Sequence, residues 1–251
     1  MHFFSSLTTS WRCWLIITFI ALVSSTANGK EVWAQGEVSD FTTTYQDYRN
    51  KADRFETARE AFIKHQTLAS QNEAVAATKE LLITRTKTFE TYFTALRQAI
   101  QINGGLEEEV KESLISELTT QIEWLKKHKE TVETASNPTL EQLFVLSDSF
   151  EEREELYRLL SHKALSRVLM GKVQVMIGHY SETVVLLAPF VEQSTVGFLK
   201  NWLQEAQNSV QQATIHLETV KVKLVEFDER NMSERRTTEA FTAIQTEVVN
   251  A

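Results

Sequence analysis

One cysteine, two prolines and seven glycines are all this 251-residue chain has of the residues that cross-link, break or bend a backbone. Each scarcity excludes something. A single cysteine, Cys13, cannot form an intramolecular disulfide framework. So few turn formers exclude an all-β chain of this length, which needs a reversal every ten residues or so. Basic residues number 26 against 34 acidic ones, a net charge of −8, which argues against general nucleic-acid binding. There is no Gly-rich phosphate loop, nucleophile elbow or cysteine nucleophile with a partner base. Long apolar runs are also rare. Beyond the N-terminus the longest is VVLLAPFV at 184–191, eight residues interrupted by Pro189, where a span needs about 20.

What is present begins with a leader. Arg12 precedes an apolar run from Cys13 to Val23, and small residues follow at Ser25, Ala27 and Gly29, the layout of a secretory signal peptide. Cleavage is expected after Ala27 or Gly29. Removing residues 1–29 leaves 222 residues without cysteine, and the loss of Arg12 takes the charge to −9. Residues 30–39 read as an N-terminal linker and 40–251 as one helical domain, open to subdivision near 136–149. Membrane attachment is expected only through the N-terminal segment, should it stay uncleaved.

The rest reads as long helices. Phe41, Tyr45, Tyr48, Ala52, Phe55 and Phe62 share a face from Asp40, a candidate N-cap, to Ala69. That register fails beyond Ala69, and Ser70 with Glu73 resembles a capping box, which places a turn at 70–73. A second helix is expected to close through a left-handed glycine at Asn103-Gly104-Gly105. Glu107, Glu108 and Glu109 open a third, over 106–134, with Lys126, Lys127 and Lys129 towards its end. After Pro138 a short helix over 140–146 leads to a fourth over 150–187. Its two apolar arcs call for two packing partners, and Ala164, Gly171 and Gly178, spaced by seven, would let a neighbouring helix approach closely.

From 190 onward one very long helix is expected. Leu199, Leu203, Ala206, Val210, Ala213, Leu217, Val220, Leu224 and Phe227 alternate in steps of four and three, a stripe that needs another helix of the chain. Ile215, Val222 and Val225 lie on its outer side as a candidate partner face. A fold-back at Asn231 would bring Phe241, Ile244 and Val248 onto that face, or a second copy would cover it.

Chemistry is thinly marked. None of His65, His128, His162, His179 and His216 follows a glutamate by three residues, so the spacing of bundle metal sites is missing. No catalytic residue, metal ligand or cofactor is expected. Arg158, Lys163, Arg167 and Lys172 stand in a stretch free of acidic residues and make a weak candidate anion contact. Asn231-Met232-Ser233 is a glycosylation sequon, meaningful only in a eukaryotic secretory pathway. The layout is similar to that of generic secreted coiled-coil proteins, and no motif assigns a family. The expectation is an all-α, elongated antiparallel bundle or coiled coil of about five long helices. It would act outside the cytoplasm as a scaffold or protein-interaction module without catalysis, with a protein partner or self-association. The alternative is an amphipathic protein that binds lipid or an anionic ligand.

Overall fold

The structure, a computed structural model, describes residues 32–229 and 234–251, with side chains over 39–225 and 238–251. The expected leader with Cys13, Asn231 of the sequon and the Phe227 side chain lie outside the described residues. The described residues are 90% helical without strands and form an all-α bundle. Among the described residues the helices are α1 Val32–His65, α2 Leu68–Gln101, α3 Glu108–Thr134, α4 Leu140–Glu151, α5 Glu154–Glu192, α6 Gly197–Glu229 and α7 Glu234–Asn250.

The breaks differ from those expected. Asp40 lies inside α1 instead of capping it, and 32–39, expected as a linker, is already helical. Between α1 and α2 the turn is made by Gln66, in the left-handed region at φ 49°, and Thr67. Ser70 N–H donates to Thr67 Oγ1 at 3.2 Å and Thr67 N–H to Ser70 Oγ at 3.0 Å. This is a reciprocal cap three residues upstream of the expected one. Glu73 is six residues past Thr67, beyond the reach of that cap, and receives Arg54 at 2.8 Å instead. Thr139 and Gln142 repeat the device ahead of α4, at 3.2 and 2.9 Å, after Asn137 has taken the left-handed turn at φ 48°. Among the described glycines none has positive φ, so the Gly104-Gly105 closure is not the left-handed one expected. The expected single helix over 190–250 is two, α6 and α7.

The chain forms two compact units. The first runs to Gln98 and includes Thr119–Phe150. There Tyr48, Phe55 and Ala58 of α1 pack with Ala77 and Leu81 of α2, while the next residue, Leu82, packs with Val132 and Leu143. Successive residues point about 100° apart, so α2 serves two cores. Lys79 Nζ donates to the carbonyls of Glu133 and Ala135 at 2.9 and 2.8 Å, satisfying acceptors that the end of α3 leaves open. The Arg85 guanidinium sits 4.2 Å above the Phe150 ring and donates to Ser147 Oγ at 3.1 Å.

The second unit comprises Ala99–Leu118 and Glu151–Ala251. The first half of α5, the second half of α6 and α7 pack together, and each of these helices contacts the other two. Ala164, Leu165, Leu217, Val220, Leu224, Phe241 and Ile244 are buried among them. Phe241 and Ile244, placed by the sequence on the apolar side of a fold-back, do fold back, but onto the inner stripe of α6. Ile215, Val222 and Val225 stay exposed at 51%, 61% and 52%, so α7 does not cover that outer face. The stripe itself turns inward, because that is where α5 and α7 both lie.

Candidate functional site

Three contacts fix how far α7 reaches along its neighbours. The His162 ring stacks on Phe241 with centroids 4.4 Å apart, and Glu247 receives His216 Nδ1 at 2.9 Å and Lys223 Nζ at 2.7 Å. Glu247 lies between His216 and Lys223, so Asn250, three residues on in an antiparallel pair, falls opposite residues 213–220 of α6. Ala213 is where burial stops on α6. From Lys172 through Gln212 no residue is buried.

On α5 burial stops at Gly171, where the turn after α2 is seated. Asn103 Nδ2 donates to the Val168 carbonyl at 2.9 Å, and its Oδ1 accepts from Gly105 N–H at 3.0 Å. A Cβ on Gly105 would collide with the Gly171 carbonyl, and one on Gly171 with Asn103 Oδ1. Both glycines are there for close approach. Gly171 therefore does allow a close contact, but to a turn and not to a neighbouring helix. Gly178 allows none, since an added Cβ there meets nothing within 4 Å, and Ala164 alone of the three packs in the helical core.

What projects past these two points is a helical hairpin, the second half of α5, a link at 193–196 and the first half of α6. One half-buried seam runs along each arm, through Val173, Ile177, Val184 and Val191 on α5 and Leu199, Leu203, Ala206 and Val210 on α6. Leu203 and Val210 thus line a two-helix contact, whereas Leu217 and Leu224 sit in the three-helix core at 4% and 0% exposure. The two arcs expected to need two partners both run out: Met176 and Tyr180 are exposed, as is Val175. Periodicity marked these residues as apolar but could not say where the covering helix ends.

With the seams facing each other, Met176, Tyr180 and Leu187 of α5 and Phe198 and Trp202 of α6 fall on one side of the hairpin, with Phe190 at its end. Phe198 and Trp202 meet edge to face at 5.1 Å. These six side chains leave on the order of 800 Å2 in water at their observed exposures, above the roughly 300–600 Å2 of the largest apolar patch on a typical monomer. Gln174, Glu192, Lys200 and Gln207 lie on the other side, while Lys172, Thr183, Glu205 and Ser209 border the apolar one. Sequence reasoning passed over Phe198 and Trp202. Their signal was four-residue spacing beside the stripe but outside its register.

The expected anion contact is not assembled. Arg158 is buried, Lys163 pairs with Glu117 at 3.0 Å, and Lys163 and Arg167 lie on the side of α5 opposite Arg158 and Lys172. Among the described residues no group of three or more His, Cys, Asp or Glu side chains is arranged to hold a metal ion. Nor is any described helix long and apolar enough to cross a membrane. Two buried imidazoles are held neutral. Burial first, and then the charge of Arg158, lowers His162 to about 4; burial and Arg85 do the same for His128. Compared with protein-family models, curated proteins and solved structures, the chain matches none.

Proposed function

We propose that this protein works by binding rather than by catalysis, and that its working element is the helical hairpin of residues 172–212. The observation that carries the reading is a mismatch within one unit. The residues that hold α5, α6 and α7 together are buried in the ordinary way, yet the forty or so residues beyond them bury none of their large apolar side chains and expose six of them on one side. A side chain such as Trp202, left 63% exposed next to Phe198 at 55%, makes little use of its apolar surface within the chain and is placed to meet something else. The leader at 1–29 would put that encounter outside the cytoplasm, in keeping with a secreted, periplasmic or cell-surface interaction protein.

Site-specific photocrosslinking in the native cells tests this. A photoreactive residue in place of Trp202 should form adducts. The same residue in place of Leu68, an isolated exposed side chain of the other unit, should not. Equal yields at the two positions would contradict the proposal.

A further inference from the structure

We propose that the apolar side of the hairpin is covered by the hairpin of a second copy of this chain, the two together completing a four-helix bundle. The proposal rests on the reading of the hairpin as a binding element and names its occupant.

The first support is continuity with a contact the chain already makes. Helix α7 lies in the groove between α5 and α6, touching His162 on one and His216 on the other. Tyr180 follows His162 by eighteen residues and Phe198 precedes His216 by eighteen, which is about five full turns in each case. Both therefore lie on the lines along which α7 is contacted, in the stretch past Asn250 that α7 does not reach. The exposed side continues the groove in which α7 lies, and the shape it offers is a seat for a helix.

Size points to a second copy. A stable complex buries about 800 Å2 on each partner, and the six exposed side chains supply an area of that order on their own. From Thr183 to Gln204 the only ionised side chains are Glu192 and Lys200, both on the far side of the hairpin, while Glu205, seven residues after Phe198, and Lys172, at the base of the other arm, border the apolar face on its own side. A two-fold pair uses one such patch twice. Pairing also finishes the seam. Leu199, Leu203 and Val210 are half-buried against one neighbour, and a second layer of helices would enclose them as a bundle core does.

The test is the mass of the full chain by sedimentation and light scattering across concentration, for the wild type and for Leu187→Lys with Trp202→Lys. Val145→Lys, at an exposed position of the other unit, is the control. The wild type and the control should be dimers. The double variant should be a monomer with an unchanged helical spectrum and a dissociation constant raised a hundredfold or more, since each buried anchor is worth about tenfold or better. A wild type that stays monomeric, or a dimer that survives the double substitution, overturns the proposal. If the monomeric wild type floats with phosphatidylcholine vesicles and the double variant does not, the face belongs to lipid; the second copy is then wrong while the binding role of the hairpin stands. A monomer with neither flotation nor a photoadduct at position 202 overturns both.

Discussion

The imidazole of His162 lies flat on the ring of Phe241, 5° from parallel, with its Nδ1 buried and without a hydrogen-bond partner. This stack ties α7 to α5, and it tolerates only the neutral ring. An unfolded histidine takes up its proton near pH 6.5, whereas His162 resists until about 4. Between these values the unfolded chain binds more protons than the folded one, so stability falls as pH falls through the window and the loss is complete below it. His128 adds a second loss of the same sign in the other unit. On the order of 3 kcal/mol is at stake at each position. Melting temperature should drop from pH 7 to pH 4, and His162→Leu should flatten the curve. A flat curve for the wild type would mean that the buried rings are not held neutral.

The two glycines in contact should be far less tolerant than the one on the bare arm. Gly105→Ala forces a methyl group into the Gly171 carbonyl and should cost about 1 to 3 kcal/mol by denaturant unfolding. Gly178→Ala meets nothing and should stabilise α5 by up to about 1 kcal/mol through helix propensity. Similar effects at both positions would contradict the placement of the Asn103 turn.

The inner and outer sides of α6 should also separate cleanly. Leu224→Ala removes a side chain with no exposure and should cost about 2 to 5 kcal/mol. Ile215→Lys with Val222→Lys, on the exposed side, should change stability by no more than about 0.5 kcal/mol. A large loss from the double substitution would show that something covers that face after all.

These contrasts mark how far the sequence could be read. Helix content, the buried half of the α6 stripe and the fold-back of Phe241 and Ile244 follow from periodicity, which reports what a residue would prefer to touch. Boundaries were harder. Thr67 with Ser70 and Thr139 with Gln142 are caps made of common residues, and Gln66 rather than a glycine takes the strained turn. Least legible was the candidate site. Tyr180 and His162 occupy equivalent positions on α5, yet His162 lies under Phe241 of α7 and Tyr180 is exposed. Which stretch of a helix a neighbour covers is decided by tertiary packing, and no local pattern carries that.

Export is checked at the N-terminus. The mature protein should begin at Asn28 or Lys30, as read by N-terminal sequencing, and an intact Met1 on the exported chain would contradict the leader.

The central claim is that residues 172–212 form a bare hairpin on a packed body and are the part that meets a partner. Amide hydrogen exchange on the full chain, followed from dilute to concentrated solution, tests it most directly. In dilute solution amides of the hairpin should exchange faster than those of 157–171 and 213–224, whose side chains supply the three-helix core. As concentration rises, protection should grow in the hairpin alone. Hairpin amides as slow as those of the body at every dilution would contradict the account, and so would protection that rises in the body and leaves the hairpin unchanged.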